Sequence, residues 1–203
     1  MPGKVRIRAA GESDAGALAR LAEETFRTAF AATNSAANVQ RHCETSYGEA
    51  LQLAEIHAPD METWLAEDDG RLVAYAQLRR GTAPAPVGAL RPIEIQRFYV
   101  HADAHGQGVA HSLMEHVLAR AVQLGAEVAW LGVWERNPRA IAFYRKQGFE
   151  AVGEQVFVVG DDPQRDLVMR RVVGAVLNAD EVSKDFPQPG HRFPGGRCGE
   201  FER

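Results

Sequence analysis

The sequence predicts an α/β domain, a mixed and mostly antiparallel sheet of about seven strands flanked by helices. Three observations predict it. Short apolar or alternating runs recur along most of the chain. Two amphipathic helical stretches are inserted between the later runs. One run, "EVAWLGVW" (127–134), is apolar almost throughout, as a central strand covered on both faces requires. With 203 residues, the chain is long enough for one domain with a sizeable core.

The elements follow in order. "KVRIRAA" (4–10) alternates and reads as a strand. Ser13 or Asp14 is placed to cap the next helix. There Leu18, Leu21, Ala22, Phe26 and Phe30 recur at helical spacing. "TNSAAN" interrupts, and two short helices are expected at 36–46 and 48–56. Strands at 61–67 and 71–80 flank "DDG", a hairpin turn because Asp-Gly tolerates positive φ. A Pro/Ala/Gly loop (81–92) leads to the strand "IEIQRFYV" (93–100). A helix over 109–124 follows, with Val109, Leu113, Met114, Val117 and Ala121 on one broad face. After strand 127–134, "NPRAIAFYRKQG" carries its own helix punctuation: Asn137 as cap, Pro138 at the first position and Gly148 as the stop. "FEAVGEQVFVV" and "RDLVMRRV" are the last strands, joined by "GDDPQ". The domain is expected to span 1–173, and the Pro/Gly-rich, aperiodic 174–203 to be a loose tail.

Composition narrows the function classes. At 45% hydrophobic and 25% charged, the chain has the make-up of a soluble globular protein. A net charge of −4 argues against a general nucleic-acid binder. No apolar run reaches membrane-spanning length, and "MPGKVRIRAAGESD" lacks the apolar segment of a signal peptide. Cys43 and Cys198 stand far apart with no CxxC spacing, so reduced thiols and a cytoplasmic protein are expected. His101 and His105 are four apart in a loop, and His111 and His116 five apart on a helix, so neither pair shares a face. With no clustered cysteine or carboxylate partners, no metal is expected.

The segment "HADAHGQGVAHSLM" (101–114) carries the most chemistry. Gly106 and Gly108 stand at the mouth of a helix, where they let backbone approach a ligand closely. A helix start also offers unpaired N–H groups and partial positive charge, a site for phosphate. A dinucleotide-fold reading fails because His111 occupies the third glycine position, and a P-loop fails because no Gly-Lys-Ser/Thr is present.

This block, continued by "WLGVWERNPRAIAFYRKQGFEAVG", resembles the GNAT superfamily of acetyl-CoA-dependent N-acetyltransferases. The family's pyrophosphate loop, Q/R-x-x-G-x-G/A, is met by His105, Gly106, Gln107, Gly108, Val109 and Ala110. Its second motif is met by Asn137, Ala140, Phe143, Tyr144, Lys146, Gly148 and Phe149. "WLGVWERN" and "VFVVGDDPQRDLVM" look more specifically like PaiA-type spermidine/spermine acetyltransferases. His105 departs from the family, which has Gln or Arg there, so side-chain help to the phosphates is in doubt while the backbone amides remain.

The resemblance implies acetyl transfer to a primary amine, with a polyamine as the finer expectation, by direct attack in a ternary complex. It implies a splay between the fourth and fifth strands. Main-chain groups of Phe98, Tyr99 and Val100 would then bind the pantetheine arm and stabilise the oxyanion. The 105–110 amides, with a contact from Asn137, would hold the coenzyme. Tyr144 would protonate the coenzyme A thiolate, and Glu94 would serve as general base. An alkylamine with pKa ~10.4 leaves about one molecule in 10³ neutral at pH 7, so a carboxylate that takes its proton has work to do. Glu44, Glu49, Glu55 and Asp60 would suit an acid-rich wall for a polyamine, or simply a solvated helix face. Other acceptors stay open: a protein N-terminus, a lysine or an aminoglycoside. So does a non-catalytic acyl-CoA sensor. The expected partners are a small-molecule amine and a second copy in a homodimer, with no nucleic acid and no membrane.

Overall fold

The computed structural model describes residues 5–174. Along the chain run β1 (Arg6–Ala9), α1 (Ala15–Phe30), α2 (Ala36–Ser46), α3 (Glu49–His57), β2 (Met61–Asp68) and β3 (Arg71–Arg80). They are followed by β4 (Pro92–Val100), α4 (Val109–Gln123), β5 (Val128–Trp134), α5 (Pro138–Lys146), β6 (Glu150–Val159) and β7 (Asp162–Val172). The strands form one seven-stranded sheet in the order β1-β2-β3-β4-β5-β7-β6. Neighbours are antiparallel except β4 and β5, which run parallel. The expected tail lies outside the described residues apart from Gly174.

Each face of the sheet carries its own apolar cluster. On one, the stripe Val109, Leu113, Met114, Val117 and Ala121 of α4 packs with Ile93, Ile95, Phe98 and Val100 of β4. On the other, Leu18, Phe26 and Phe30 of α1 pack with Tyr75, Tyr99 and Phe157. The helical periodicity of the sequence therefore marks the sides that are buried.

Two local expectations are corrected. Asp14 does not cap α1. Its carboxylate accepts from Arg8 Nη1 at 2.6 Å and Nη2 at 2.8 Å, and a short 3₁₀ turn (Glu12–Asp14) leads into the helix. The same carboxylate also accepts the Gly11 N–H at 2.8 Å, so Asp14 caps the short turn and ties it to β1 instead of capping α1. The 160–164 loop is also shorter than expected, because β7 starts at Asp162 and pairs with β6 up to the turn. Pro163 fits there because β5 joins β7 only from Asp166 onward, so no second ladder needs its missing N–H.

Beneath α2 and α3 lies a buried polar knot. The Arg97 guanidinium is almost fully enclosed. It donates to Glu55 and to Gln77 Oε1 (2.8 Å), and lies over the Tyr47 ring at 5.2 Å. Gln77 Nε2 in turn donates to Glu55 (3.0 Å). Burial works against the Arg97 charge, yet Glu55, Tyr47 and Tyr75 hold its pKa above the usual arginine value. Glu55→Ala leaves that charge buried alone and is expected to cost about 3–5 kcal/mol in chemical denaturation. The double variant Glu55→Leu/Arg97→Met should lose clearly less; an equal loss would show that the charge pairing is not what the knot depends on.

Candidate active site

The sheet opens at its parallel seam. β4 and β5 share register only at Pro92–Val128, Ile93–Ala129 and Glu94–Trp130, although both strands continue. On the other side of β4 the register with β3 slips between Gln77 and Leu78, leaving Gln96 as the extra residue. A bulge increases local twist and bends its strand. Beyond Glu94, β4 stays with β3 and parts from β5, forming a fork with Glu94 at its vertex. The side chains of Phe98, Tyr99 and Val100 are buried in the two clusters, and Tyr99 stacks on Tyr75 at 5.6 Å. Their side chains serve packing, so any role toward a ligand in the fork falls to the main chain.

At the mouth of the fork the chain turns into α4. Gly106 (φ +76°) and Gly108 (φ +79°) are both left-handed, which costs other L-residues roughly 1–2 kcal/mol. A Cβ built at either would meet no atom within 4 Å. Conformation rather than crowding thus requires glycine, and the outer side of the turn is open. Gly108 has no side chain with which to cap α4, whose N-terminus faces this opening together with Val109 and Ala110. Gln107 turns back, its Nε2 donating to Asp103 O at 2.7 Å.

His105 is not directed outward as a cation. One ring nitrogen meets Val100 O at 3.2 Å and the other meets Arg139 Nη2 at 2.9 Å. Arginine can only donate, so Nδ1 accepts and Nε2 carries the hydrogen given to Val100; this tautomer is assigned from the bonding pattern. Arg139 stands on the first turn of α5, where Asn137 caps the helix by accepting the Ala140 N–H at 3.0 Å. A guanidinium at the positive end of a helix is electrostatically misplaced unless an anion binds there. Its Nε is buried and unbonded. Sequence reasoning missed Arg139, although an arginine directly after an Asn-Pro helix start is itself a signal.

The two expected proton carriers lie on opposite faces of the sheet. Tyr144 is fully buried with Phe98 and Val109, edge-on to Phe143 (5.5 Å) and Phe149 (5.8 Å). Glu94 is half-buried on the α2 face, lining a cleft of about 580 Å³ with His42 and Ser46 of α2 and Phe157 of β6. Burial pushes its carboxyl up to about 7, against the pull of the Arg79 and Arg97 guanidiniums. The acid-rich wall expected from 33–60 is not in this cleft. Glu55 binds Arg97, Asp60 pairs with Arg79 (3.5 Å), Glu44 accepts from Gln40 (2.7 Å), and Glu49 sits beside Gly16.

Cys43 is buried, which pushes its thiol up to about 11 and removes it as a thiolate nucleophile; Cys198 lies outside the described residues. Among the described residues, no group of three or more His, Cys, Asp or Glu could hold a metal ion, and no helix is long and apolar enough to cross a membrane.

Gln96, at the bulge, is 1% exposed, and neither atom of its amide makes a hydrogen bond to the protein. Such a group costs about 1–3 kcal/mol. Gln96→Met keeps the volume and removes the orphaned atoms, so Tm is expected to rise by roughly 2–4 °C in a calorimetric scan. A lower Tm would show that the amide is satisfied in solution.

Comparison with known proteins agrees with this geometry. Residues 18–149 match the model of the acetyltransferase (GNAT) family. An uncharacterized N-acetyltransferase of Mycobacterium tuberculosis is 34% identical over 159 residues, covering 78% of this chain and 97% of that relative. One from Lactobacillus delbrueckii subsp. lactis is 28% identical over 169 residues, covering 83% and 98%. Among solved structures, the PaiA N-acetyltransferase of Thermoplasma acidophilum in complex with coenzyme A superposes with a TM-score of 0.66 at 20% identity, covering 83% of this chain and 99% of that one. That likeness establishes the fold. With its forked parallel seam, its open two-glycine turn and the family match across both, the chain belongs to the acetyltransferase (GNAT) family.

Proposed function

We propose that the protein transfers an acetyl group from acetyl-coenzyme A to a primary amine, the amine attacking directly while both substrates are bound. The observation that carries this reading is the β4–β5 fork, with an open two-glycine turn at one end and a carboxylate at its vertex. The residues present fit the coenzyme. Left-handed glycines with empty space outside them, the α4 N-terminus and the Arg139 guanidinium make a cradle for a diphosphate. The parted edge of β4 suits an amide-bearing arm added like a strand.

When bound, the coenzyme supplies a thioester carbonyl for the amine to attack and a thiol as leaving group. The chain supplies the rest. Main-chain N–H groups of Phe98, Tyr99 or Val100 stabilise negative charge on the carbonyl oxygen. Glu94 draws in the ammonium and takes its proton, directly or through water. The Tyr144 hydroxyl holds a proton for the departing sulfur. His105 acts through Arg139, whose charge stands in for the Gln or Arg that the family's loop carries at 105. Asn137 acts by starting the helix that presents both Arg139 and Tyr144.

A non-catalytic acyl-CoA sensor would need neither Glu94 nor Tyr144. Calorimetry with acetyl-CoA, followed by measurement of CoASH release with an amine panel, separates the two: saturable binding and turnover are expected, and binding without turnover on any amine would overturn catalysis. Tyr144→Phe should lower kcat by about tenfold or more with acetyl-CoA affinity nearly unchanged. Because a base works ionised, kcat/KM should rise as pH passes through about 7, and Glu94→Gln should abolish that inflection. The raised carboxyl also removes stability as pH climbs from the ordinary carboxylate range through about 7, and Glu94→Gln is expected to remove this loss.

A further inference from the structure

We propose that the Gln155 carboxamide positions the acceptor amine together with Glu94, and that residue 132 is glycine so that this amide can reach the fork. This rests on the acetyl-transfer reading above and names a residue that holds its second substrate. Gly132 lies in the middle of β5, between the fully buried Leu131 and Val133. A glycine inside a strand weakens it and commonly marks a place where another group approaches closely. The groups that approach here are polar. A Cβ built on Gly132 would lie 2.4 Å from Gln155 Nε2 and 3.4 Å from Asp166 Oδ2.

Strand register places that contact at the opened seam. Glu94 pairs with Trp130, the last β5 residue in register with β4. Gly132 follows two residues later, so it is the first position on the same face beyond the vertex. Gln155 starts two strands away. It pairs with Asp166 of β7, and Asp166 pairs with Trp134 of β5. Its side chain therefore leans across β7 and back toward the vertex, and ends over Gly132. Gln155 and Glu94 line one cleft, with Thr45 and Ser46 of α2. A side chain at 132 would take the place of the amide.

The amide has a preferred orientation. Nε2 is its nearest atom to Gly132 and Cδ follows at 3.5 Å, so Oε1 lies farther off. The acid on the Gly132 side favours the donor end there, and on that ground Nε2 is assigned to it. Oε1 is then the amide atom left for the cleft. An ammonium has donors and no acceptor, so an amide oxygen and a carboxylate both match it. Once Glu94 has taken its proton, the amine keeps N–H groups to give to Oε1 while its lone pair attacks. Gln155 orients the amine and takes no proton itself.

The test measures CoASH release with acetyl-CoA saturating and with spermidine, phenethylamine and alaninamide as acceptors, and continues with the one that turns over fastest. Gln155→Ala should raise KM for that amine at least about tenfold, with kcat changed less than about threefold and acetyl-CoA affinity by calorimetry unchanged. Gly132→Ala should reproduce the rise, because its methyl displaces the end of a flexible side chain and the backbone at 132 is not left-handed. In the Gln155→Ala background the nearest neighbour left to that methyl is Asp166 Oδ2 at 3.4 Å, so the double variant should be no worse than either single one. An unchanged amine KM in Gln155→Ala overturns the inference alone, and that variant decides the matter if Gly132→Ala does not fold. A double variant whose loss is the product of the two single losses also overturns it. Turnover of no acceptor by protein that binds acetyl-CoA overturns the acetyl-transfer reading and this inference with it.

Discussion

The structure depends on a seam that does not close. β4 and β5 are the one parallel pair in the sheet, and they lie side by side only as far as Glu94. The extra residue at Gln96 turns β4 onto β3 and away from β5. Continuous sheet is the cheaper arrangement, since a parted strand gives up ladder hydrogen bonds. The fold sustains the parting because the β4 side chains beyond the bulge are fixed on both faces, Phe98 and Val100 against α4 and Tyr99 against Tyr75. Packing holds the strand in place, and the fork is a consequence of that packing. The glycine turn, the vertex carboxylate and the cleft beside α2 are all arranged around it.

Electrostatics around the fork follow from how acids are distributed. On the α2 face Asp161, Asp60 and Glu55 are matched to Arg41, Arg79 and Arg97. Glu94 makes no such ion pair, and burial pushes its carboxyl up to about 7 against the pull of Arg79 and Arg97. A carboxyl raised to that range is a stronger base than an ordinary one. At the glycine turn the balance is reversed: the N-termini of α4 and α5 and Arg139 gather positive potential where the turn leaves room.

Much of the fold was legible in the sequence because it rests on local periodicity. The apolar stripe of α4, the Asp-Gly hairpin and the Asn-Pro start of α5 each need only a few neighbouring residues to be recognised. Gly106 and Gly108 stood out in the sequence by their place at a helix mouth, and both are left-handed there. What stayed hidden is long-range pairing. Asp14 looked like a cap for α1 because its carboxylate is next to a helix start; it binds Arg8, on a strand, and the Gly11 N–H of the preceding short turn instead. Glu55 and Asp60 looked like an acidic wall because a sequence counts charges without showing which arginine consumes them. Arg139 and Gln96 were passed over for the same reason, since their significance lies in the groups around them and not in their spacing.

The central claim is that backbone at the fork and its glycine turn receives the coenzyme. Backbone amide spectra of isotope-labelled protein during titration with coenzyme A test it most directly. Saturable shifts should centre on Gly106, Gly108, Val109 and Ala110 and extend into β4 from Gln96 to Val100. Saturable shifts confined to the far side of α4, around Val122 and Val172, or no saturable shift at all, would contradict the account.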